Sequence, residues 1–269
     1  MNHYIHDIDP IAFYIFSDPI AWYWLAYLFG FFFVYFMSVY LIHKDLGFIS
    51  RRDLNTYMVF CWIGVIVGAR LGYVLIYNPL QYLEHPYLII QLWRGGMSFH
   101  GGLIGCLLAT LYVSKRCQHS LFYMTDLVCL LIPLPLALGR ITNFVNGELA
   151  GKATSLPWGV IFPAYDNVPR HPSQLYQACL EGLLLFCLLW LQRRKLQKPG
   201  IITSYFLIGY GFLRFLVEFI RLPDQQIGYL LANTFTMGHL LCGVMIIAGI
   251  LLYITRCNSK QQPNNDPTL

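Results

Sequence analysis

Ionisable and polar side chains lie inside long apolar stretches of this 269-residue sequence, where a charge is costly and usually faces a cavity, a partner or a substrate. In one stretch Tyr210, Arg214 and Glu218 are spaced four residues apart, so a helix would place them on one face. In another, Arg140 has no acid closer along its own stretch than Asp126. Arginines that outnumber nearby carboxylates suit a phosphate, whose oxygens match the guanidinium fork. We therefore expect a site for an anionic phospholipid head group. A purely structural ion pair between Arg214 and Glu218 is the alternative.

Three further segments concentrate glycines or hydrogen-bonding side chains beside the apolar stretches. The segment 95–105 has glycines on both sides of His100, and glycine lets the backbone approach a ligand closely. The segment 139–151 is dense in polar side chains and follows an apolar stretch. The segment 170–176 contains Pro172, which is suited to the first turn of a helix. We expect these segments where the chain enters or leaves helices.

The composition indicates a membrane protein. Hydrophobic residues make up 57% of the sequence and charged residues only 12%, so the apolar content exceeds that of an ordinary soluble domain. A spanning helix needs about 20 mostly apolar residues. We count seven such runs and expect an all-α, polytopic membrane protein with about seven transmembrane helices. The runs are 19–42, 56–77, 97–114, 121–140, 172–191, 200–220 and 234–255.

Lysine and arginine residues divide the connecting segments into two groups. They concentrate at 44–52, 115–116, 193–198 and 256–260 and are sparse in the alternate segments. Cytoplasmic loops carry the excess of positive charge in membrane proteins. The amino terminus is therefore expected outside, in the periplasm, and the carboxyl terminus in the cytoplasm.

Residues 1–257 are expected to form a single transmembrane helical domain, followed by a short polar cytoplasmic tail at 258–269.

The remaining features exclude several classes of site and partner. The eight cysteines are scattered without a CxxC pair, so we expect no metal site. The net charge of +5 comes from short loops, which argues against a nucleic-acid partner. Without a nucleotide-binding loop, catalysis is expected to need no cofactor.

The expected spans bring several polar groups to a similar depth. At about 1.5 Å per residue, Arg70 and Arg214 lie in the outer halves of their spans. His100 lies near the outer start of one expected span, and Arg140 lies at the outer end of another. Tyr23 is also in an outer half. Five helices that contribute polar groups at one level predict a single cavity that opens to the outer leaflet.

The run Gly-Arg-x-x-Asn-Phe-x-Asn-Gly-Glu at 139–148 resembles the signature of the prolipoprotein diacylglyceryl transferase family. The resemblance extends to segments 97–105, 171–176 and 207–224, so it covers nearly the whole chain, with the family's seven spans and orientation. One departure is Gln177, which follows Tyr176 where an acid is common, and another is a short loop after Gly151. Both departures concern substrate access or precursor preference rather than the reaction.

The resemblance implies a transferase of the bacterial inner membrane. Such an enzyme moves the diacylglyceryl group from phosphatidylglycerol to the lipobox cysteine of a prolipoprotein signal peptide, forming a thioether and releasing glycerol 1-phosphate. By resemblance, Arg140 and Arg214 would bind phosphatidylglycerol and be essential, and His100 would carry functional weight. The other candidate substrate-binding positions are Tyr23, Gly101, Gly102, Asn143, Glu148, Tyr210 and Glu218.

The implied reaction assigns roles to these groups. Arg140 and Arg214 would stabilise negative charge that grows on the leaving oxygen. A free thiol has a pKa of about 8.5, so His100 is the candidate general base. Alternatively, His100 only hydrogen-bonds across the helix start, and an arginine promotes the thiolate. Asn143 and Glu148 would bind Arg140 or the glycerol head, or would only fix their loop.

Plainer roles are expected for other groups. Arg70 would pair with backbone or with Glu181, His171 would hydrogen-bond within its loop, and His239 would pack. The glycine patterns at 64–72 and 101–105 are interpreted as helix-packing faces.

Two other function classes compete with the transferase. A phospholipid transporter or flippase would also use arginines at a head group, but the odd number of spans and the lack of a repeat disfavour it. A non-enzymatic scaffold is the second alternative. Neither class explains the run at 139–148.

Overall fold

The computed structural model describes residues 3–44, 46, 49–92, 95–223, 228–231 and 234–258. The polar tail expected at 258–269 lies, beyond Asn258, outside the described residues, as does Asp224 at the end of one family-like segment. The chain divides into two compact units. The first unit comprises Met1–Met37 with Asp126–Leu269, and the second comprises Ser38–Thr125.

Helices make up most of the protein. Local signals start several of them: the Ser98 hydroxyl accepts a hydrogen bond from the Gly101 backbone N–H, and Pro133 occupies a first-turn position. The main helices of the described residues are α1 (Trp22–His43), α2 (Arg51–Ile76), α3 (Pro79–Glu84), α4 (Phe99–Arg116), α5 (Leu121–Leu131), α6 (Pro133–Val145), α7 (Ser173–Leu191), α8 (Ile201–Glu218) and α9 (Met237–Asn258).

Five of the described helices, namely α1, α2, α7, α8 and α9, are long and apolar enough to cross a membrane. The pair α5 and α6, bent by 44° at Ile132, makes a sixth if it forms one span. The protein is therefore a polytopic helical membrane protein with five or six candidate spans, where the sequence predicted about seven. The expected run 97–114 is helical as α4, but this helix includes His100, Lys115 and Arg116 and is not among the candidates.

The helix that carries the end of the predicted fourth span extends beyond Arg140. Helix α6 continues to Val145, so Arg140 lies inside a helix and the first half of segment 139–151 is helical. The helix stops where Gly147 adopts a positive φ of 66°, a conformation that glycine accommodates at the end of a helix.

Short strands, absent from an all-α prediction, lie outside the helices of the first unit. Strand β1 (Tyr4–Ile5) pairs in parallel with β4 (Val160–Ile161), and β4 pairs antiparallel with β5 (Pro169–Arg170). This sheet fastens the amino-terminal segment to the connection between α6 and α7. The two remaining pairs are β2 (Ile11–Ile15) with β3 (Asp18–Ala21), and β6 (Tyr229–Leu231) with β7 (Phe235–Thr236).

The second unit is built on the contact between α2 and α4. A Cβ added at Gly72 would lie 2.8 Å from the Gly101 Cα, and one added at Gly68 would lie 2.9 Å from the Gly105 Cα. The prediction that these glycines form packing faces is therefore confirmed. Their close approach requires both helices to present bare backbone.

Arg70, also in this unit, is buried, and its guanidinium group donates to backbone carbonyl oxygens. The prediction of a backbone partner is confirmed. The five acceptors are the oxygens of Leu88 (2.6 Å), Ile89 (2.9 Å), Gln91 (3.3 Å), Gly95 (2.5 Å) and Gly96 (3.0 Å).

Candidate functional site

Glu181 is the centre of a buried charged cluster in the first unit. Its carboxylate lies 4.0 Å from a guanidinium nitrogen of Arg140 and 3.5 Å from one of Arg214, and its side chain is only 2% exposed. Sequence reasoning did not place Glu181 at the site and considered it only as a partner of Arg70. The available signal was an acid inside an otherwise apolar run.

Glu218 anchors the other side of Arg214. An ion pair of 2.8 Å joins Arg214 to Glu218, as their spacing of four residues predicted, and Arg221 lies 3.7 Å from the same carboxylate. The Thr236 hydroxyl donates a hydrogen bond to Glu218 at 2.9 Å. A Cβ at Gly238 would meet the Glu218 carboxylate, so this position leaves room for it.

Guanidinium groups outnumber carboxylates in the ion pairs of this buried cluster, within the residues that the structure describes. The ion pairs involve three guanidinium groups, those of Arg140, Arg214 and Arg221, and two carboxylates, those of Glu181 and Glu218. Buried guanidinium groups are costly unless opposite charges bind beside them, and an anion with several oxygens suits them.

Tyrosines from two helices extend the cluster. The Tyr210 hydroxyl interacts electrostatically with Glu181, Arg140 and Arg214. On α1, the Tyr27 hydroxyl donates to the Tyr23 hydroxyl at 3.4 Å, and Tyr27 also interacts with Arg140. The structure therefore brings the predicted residues Tyr210 and Tyr23 to the region of the two arginines, with Tyr27 as an addition.

The position of Glu181 depends on an irregular part of α7. Residues Ala178–Leu184 form a π-helical segment, a geometry that is rare and often found at functional sites. Next to Glu181, Gly182 packs on α6, where an added Cβ would lie 2.9 Å from the Ala137 Cα. Because Ala137 precedes Arg140 by one helical turn, this contact holds Glu181 close to Arg140.

The predicted residues Asn143 and Glu148 contact each other. The Asn143 side-chain amide donates to the Glu148 carboxylate at 3.2 Å, and the Asn146 amide donates to its second oxygen at 3.2 Å. The Gln174 amide donates to the Glu148 backbone carbonyl. These contacts agree with the loop-fixing interpretation and connect the end of α6 to the start of α7.

Several buried polar atoms near this cluster have no hydrogen-bond partner in the part of the chain that the structure describes. Both oxygens of Glu181 and one guanidinium nitrogen of Arg214 are among them, and so are both polar atoms of the Gln177 side chain. Buried polar groups are almost always satisfied, so a concentration of such atoms indicates a polar ligand or water.

His100, Gly101 and Gly102 belong to the second unit, in the first turn of α4. His100 is exposed, and its ring contacts the Phe99 ring edge-on with centroids 5.7 Å apart. Gly101 and Gly102 are buried in the contact with α2. Packing therefore explains the two glycines, while the exposed imidazole is accessible for chemistry.

The two other histidines considered from the sequence have the expected plainer roles. His171 contacts the Tyr176 hydroxyl at 3.4 Å, and its backbone bonds to Gly151 and Lys152. Burial lowers the pKa of its imidazole. His239 is 3% exposed and packs among the rings of Phe215 and Phe219, so its predicted packing role is confirmed.

Comparison with known proteins gives one consistent result. A family model described as prolipoprotein diacylglyceryl transferase matches residues 10–255. A phosphatidylglycerol–prolipoprotein diacylglyceryl transferase of Pseudomonas entomophila (strain L48) is 46% identical over 256 residues, which are 94% of this chain and 95% of the relative. Proteins with the same name are 46% identical in Bordetella avium (strain 197N), over 95% of this chain and 97% of the relative, and 45% identical in Pseudomonas fluorescens (strain Pf0-1), over 91% and 92%.

Proposed function

Because the chain belongs to the prolipoprotein diacylglyceryl transferase family, we propose that it transfers the diacylglyceryl group of phosphatidylglycerol to the lipobox cysteine thiol of prolipoproteins. The products are a thioether-linked lipoprotein precursor and glycerol 1-phosphate. This is the first step of bacterial lipoprotein maturation.

The observation that carries the proposal is the pair of guanidinium groups beside Glu181. Arg140 and Arg214 share this single carboxylate at 4.0 and 3.5 Å, which leaves donors available to a phosphate. A phosphodiester brings one negative charge and oxygens that two guanidinium groups can bind together. Arg140, with a side chain 23% exposed, is the more accessible of the two guanidinium groups.

The chemistry requires a growing negative charge to be stabilised. The cysteine sulfur attacks the glyceryl carbon bonded to the phosphate oxygen, the carbon–sulfur bond forms and the carbon–oxygen bond breaks. The thiol proton is lost, and the phosphate leaves with one more negative charge than it had in the lipid. Fixed guanidinium groups of Arg140 and Arg214 therefore stabilise the transition state more than the bound lipid.

The other candidate residues supply proton transfer and positioning. His100 acts as the general base for the thiol, and its exposure makes this role accessible. Tyr210 and Glu218 hold the arginines in place, and Tyr23 lines the approach to them. Asn143 and Glu148 shape the loop next to the lipid head, while Gly101 and Gly102 allow α4 to approach α2 closely and so hold the start of the helix that carries His100.

In the proposed arrangement, residues 1–257 form one helical domain with seven spans in the bacterial inner membrane. Helix α4 is the additional span, because its start carries His100 and its end carries Lys115 and Arg116. The amino terminus is periplasmic and the carboxyl terminus cytoplasmic. The lipid and the signal peptide then both reach the site from the outer leaflet.

Mass spectrometry tests the proposal. A synthetic lipobox peptide with one cysteine is incubated with the purified protein and phosphatidylglycerol in liposomes. We expect a mass gain of one diacylglyceryl unit on that cysteine, with release of glycerol phosphate. An unmodified peptide in the presence of folded protein that binds the lipid would contradict the transferase function and favour lipid transport.

A further inference from the structure

Helix α7 carries a buried polar stripe that extends beyond the charged cluster. Gln174, Gln177 and Glu181 are spaced three and four residues apart, so they lie along one helix face. The two glutamines are 0% exposed and Glu181 is 1% exposed. These three polar side chains, two uncharged and one charged, lie on one buried face of a membrane helix and therefore require partners.

The two glutamines differ in how their amides are used. Gln174 donates to the Glu148 backbone carbonyl, and only its oxygen lacks a partner among the described residues. Gln177 has neither a donor for its oxygen nor an acceptor for its nitrogen within that part of the chain. An unsatisfied buried polar group destabilises the folded protein. A retained, fully buried amide with both atoms unsatisfied therefore indicates a ligand that both donates and accepts hydrogen bonds.

We infer that Gln177, supported by Gln174, is a specificity-determining residue that binds the hydroxyl groups of the glycerol head of phosphatidylglycerol. The inference rests on the proposed function, which places the phosphate at Arg140 and Arg214. Gln177 lies one helical turn, about 6 Å along the axis, from the Glu181 that these arginines share. A glycerol head attached to that phosphate reaches this distance.

The chemistry of an amide matches a diol. Each hydroxyl group donates one hydrogen bond and accepts others, and the amide offers both an acceptor oxygen and a donor nitrogen. An amide also adds no negative charge beside the phosphate. An ammonium head group only donates, so it would leave the Gln177 nitrogen unsatisfied.

The test removes the amide and the hydroxyl groups separately. Wild type, Gln177→Leu and the control Gln192→Leu are assayed with phosphatidylglycerol and with phosphatidylpropanol, whose head group lacks both hydroxyls. Gln192 lies at the end of the same helix, about 16 Å along the axis from Glu181. We expect wild type and Gln192→Leu to prefer phosphatidylglycerol in kcat/KM by at least about tenfold, the discrimination of one or two buried hydrogen bonds.

For Gln177→Leu we expect the two lipids to become equivalent, because turnover of phosphatidylglycerol falls and that of phosphatidylpropanol does not. Thermal unfolding in detergent should show an equal or higher Tm, since leucine replaces an unsatisfied amide. A preserved preference would overturn the inference, and so would a lower Tm with equal losses on both lipids. A wild-type protein that modifies no peptide with phosphatidylglycerol would instead refute the proposed function itself.

Discussion

A guanidinium group that shares a carboxylate with a second guanidinium keeps donors for another anion. Direct charge-assisted hydrogen bonds measure about 2.7–2.9 Å, whereas Glu181 stands at 4.0 Å from Arg140 and 3.5 Å from Arg214. The carboxylate therefore positions both groups without saturating either. This arrangement explains how two buried guanidinium groups remain available to bind a phosphate.

Replacement of Arg214 should abolish most activity. Arg214→Ala removes one fixed cation from the leaving group and the 2.8 Å ion pair of Glu218, so we expect a loss of about 10²–10³ in kcat, by analogy with the removal of one oxyanion donor. Arg214→Lys keeps the charge but loses the fork, and it should retain an intermediate rate. Peptide lipidation followed by mass spectrometry measures both.

Arg116→Ala is the matched control for this pair, because Arg116 is exposed and donates to the Tyr112 hydroxyl at 3.0 Å, away from the charged cluster. We expect it to turn over like the wild type. Full activity of a membrane-inserted Arg214→Ala protein would refute the phosphate-binding role.

The base assignment of His100 predicts a pH-dependent defect. General-base catalysis contributes about 10²–10⁴-fold, so His100→Ala should be slow at neutral pH. A peptide thiol ionises by itself as the pH rises toward and above about 8.5, so the need for a base declines and the defect should narrow. Rates of wild type and variant between about pH 6.5 and 9, from about two units below this value to about half a unit above it, test the point.

His43→Ala is the control for this series, since His43 is an exposed histidine that contacts the Val39 carbonyl oxygen at 2.9 Å within its own helix. A defect of His100→Ala that stays constant over the pH series would assign His100 a structural role, and an unchanged rate at neutral pH would remove it from the mechanism.

At the scale of the helices, the close contact between α6 and α7 sets the geometry of the site. Gly182 lies against Ala137, so neither helix can gain volume there without separating from the other. Glu181 and Arg140 sit on the two sides of this contact, and their distance depends on it. The π-helical segment of α7 adds a local shift that hydrophobic periodicity does not encode.

Gly182→Ala should therefore reduce both stability and activity. The new methyl group would force α6 from α7 at a cost of about 1–3 kcal/mol, typical of overpacking. Arg140 would then lose its position beside Glu181, and lipidation should slow. Thermal unfolding in detergent and peptide lipidation measure the two effects.

Gly243→Ala supplies the comparison, because a Cβ at this helical position has nothing within 4 Å. Alanine should leave activity unchanged and stabilise α9 by about 0.5–1 kcal/mol. If both substitutions behave alike, the contact between α6 and α7 does not control the site.

At the scale of the whole molecule, the proposed orientation can be measured by labelling. In a background without the native cysteines, Asn167→Cys should react with an impermeant maleimide in intact spheroplasts, because the segment 141–171, which is poor in lysine and arginine, is proposed to be periplasmic. Gln197→Cys should react only after permeabilisation, since the basic segment 193–198 is proposed to be cytoplasmic. Both side chains are exposed, so reactivity reports on location rather than burial.

The reverse labelling pattern would invert the topology and exclude a site that opens to the outer leaflet. Equal labelling of both cysteines in intact spheroplasts would indicate damaged membranes. A native cytoplasmic protein in the same sample is the control for such damage, because it is labelled only when the membrane leaks.

The sequence alone determined the properties that depend on composition and on neighbouring residues. Apolar content predicted a helical membrane protein, and four-residue spacing predicted the pair of Arg214 and Glu218, because both features are local. The run at 139–148 indicated the family, which the comparisons confirm over residues 10–255.

Tertiary structure decided which groups from different helices meet. Glu181 lies between Arg140 and Arg214 because α6, α7 and α8 pack together, and helical periodicity carries no information on which of the distant helices become neighbours. The bend at Ile132, the continuation of α6 past Arg140 and the pairing of β1 with β4 likewise depend on the packed chain. Local spacing thus specified each charged helix face, and only packing across helices brought the faces to one carboxylate.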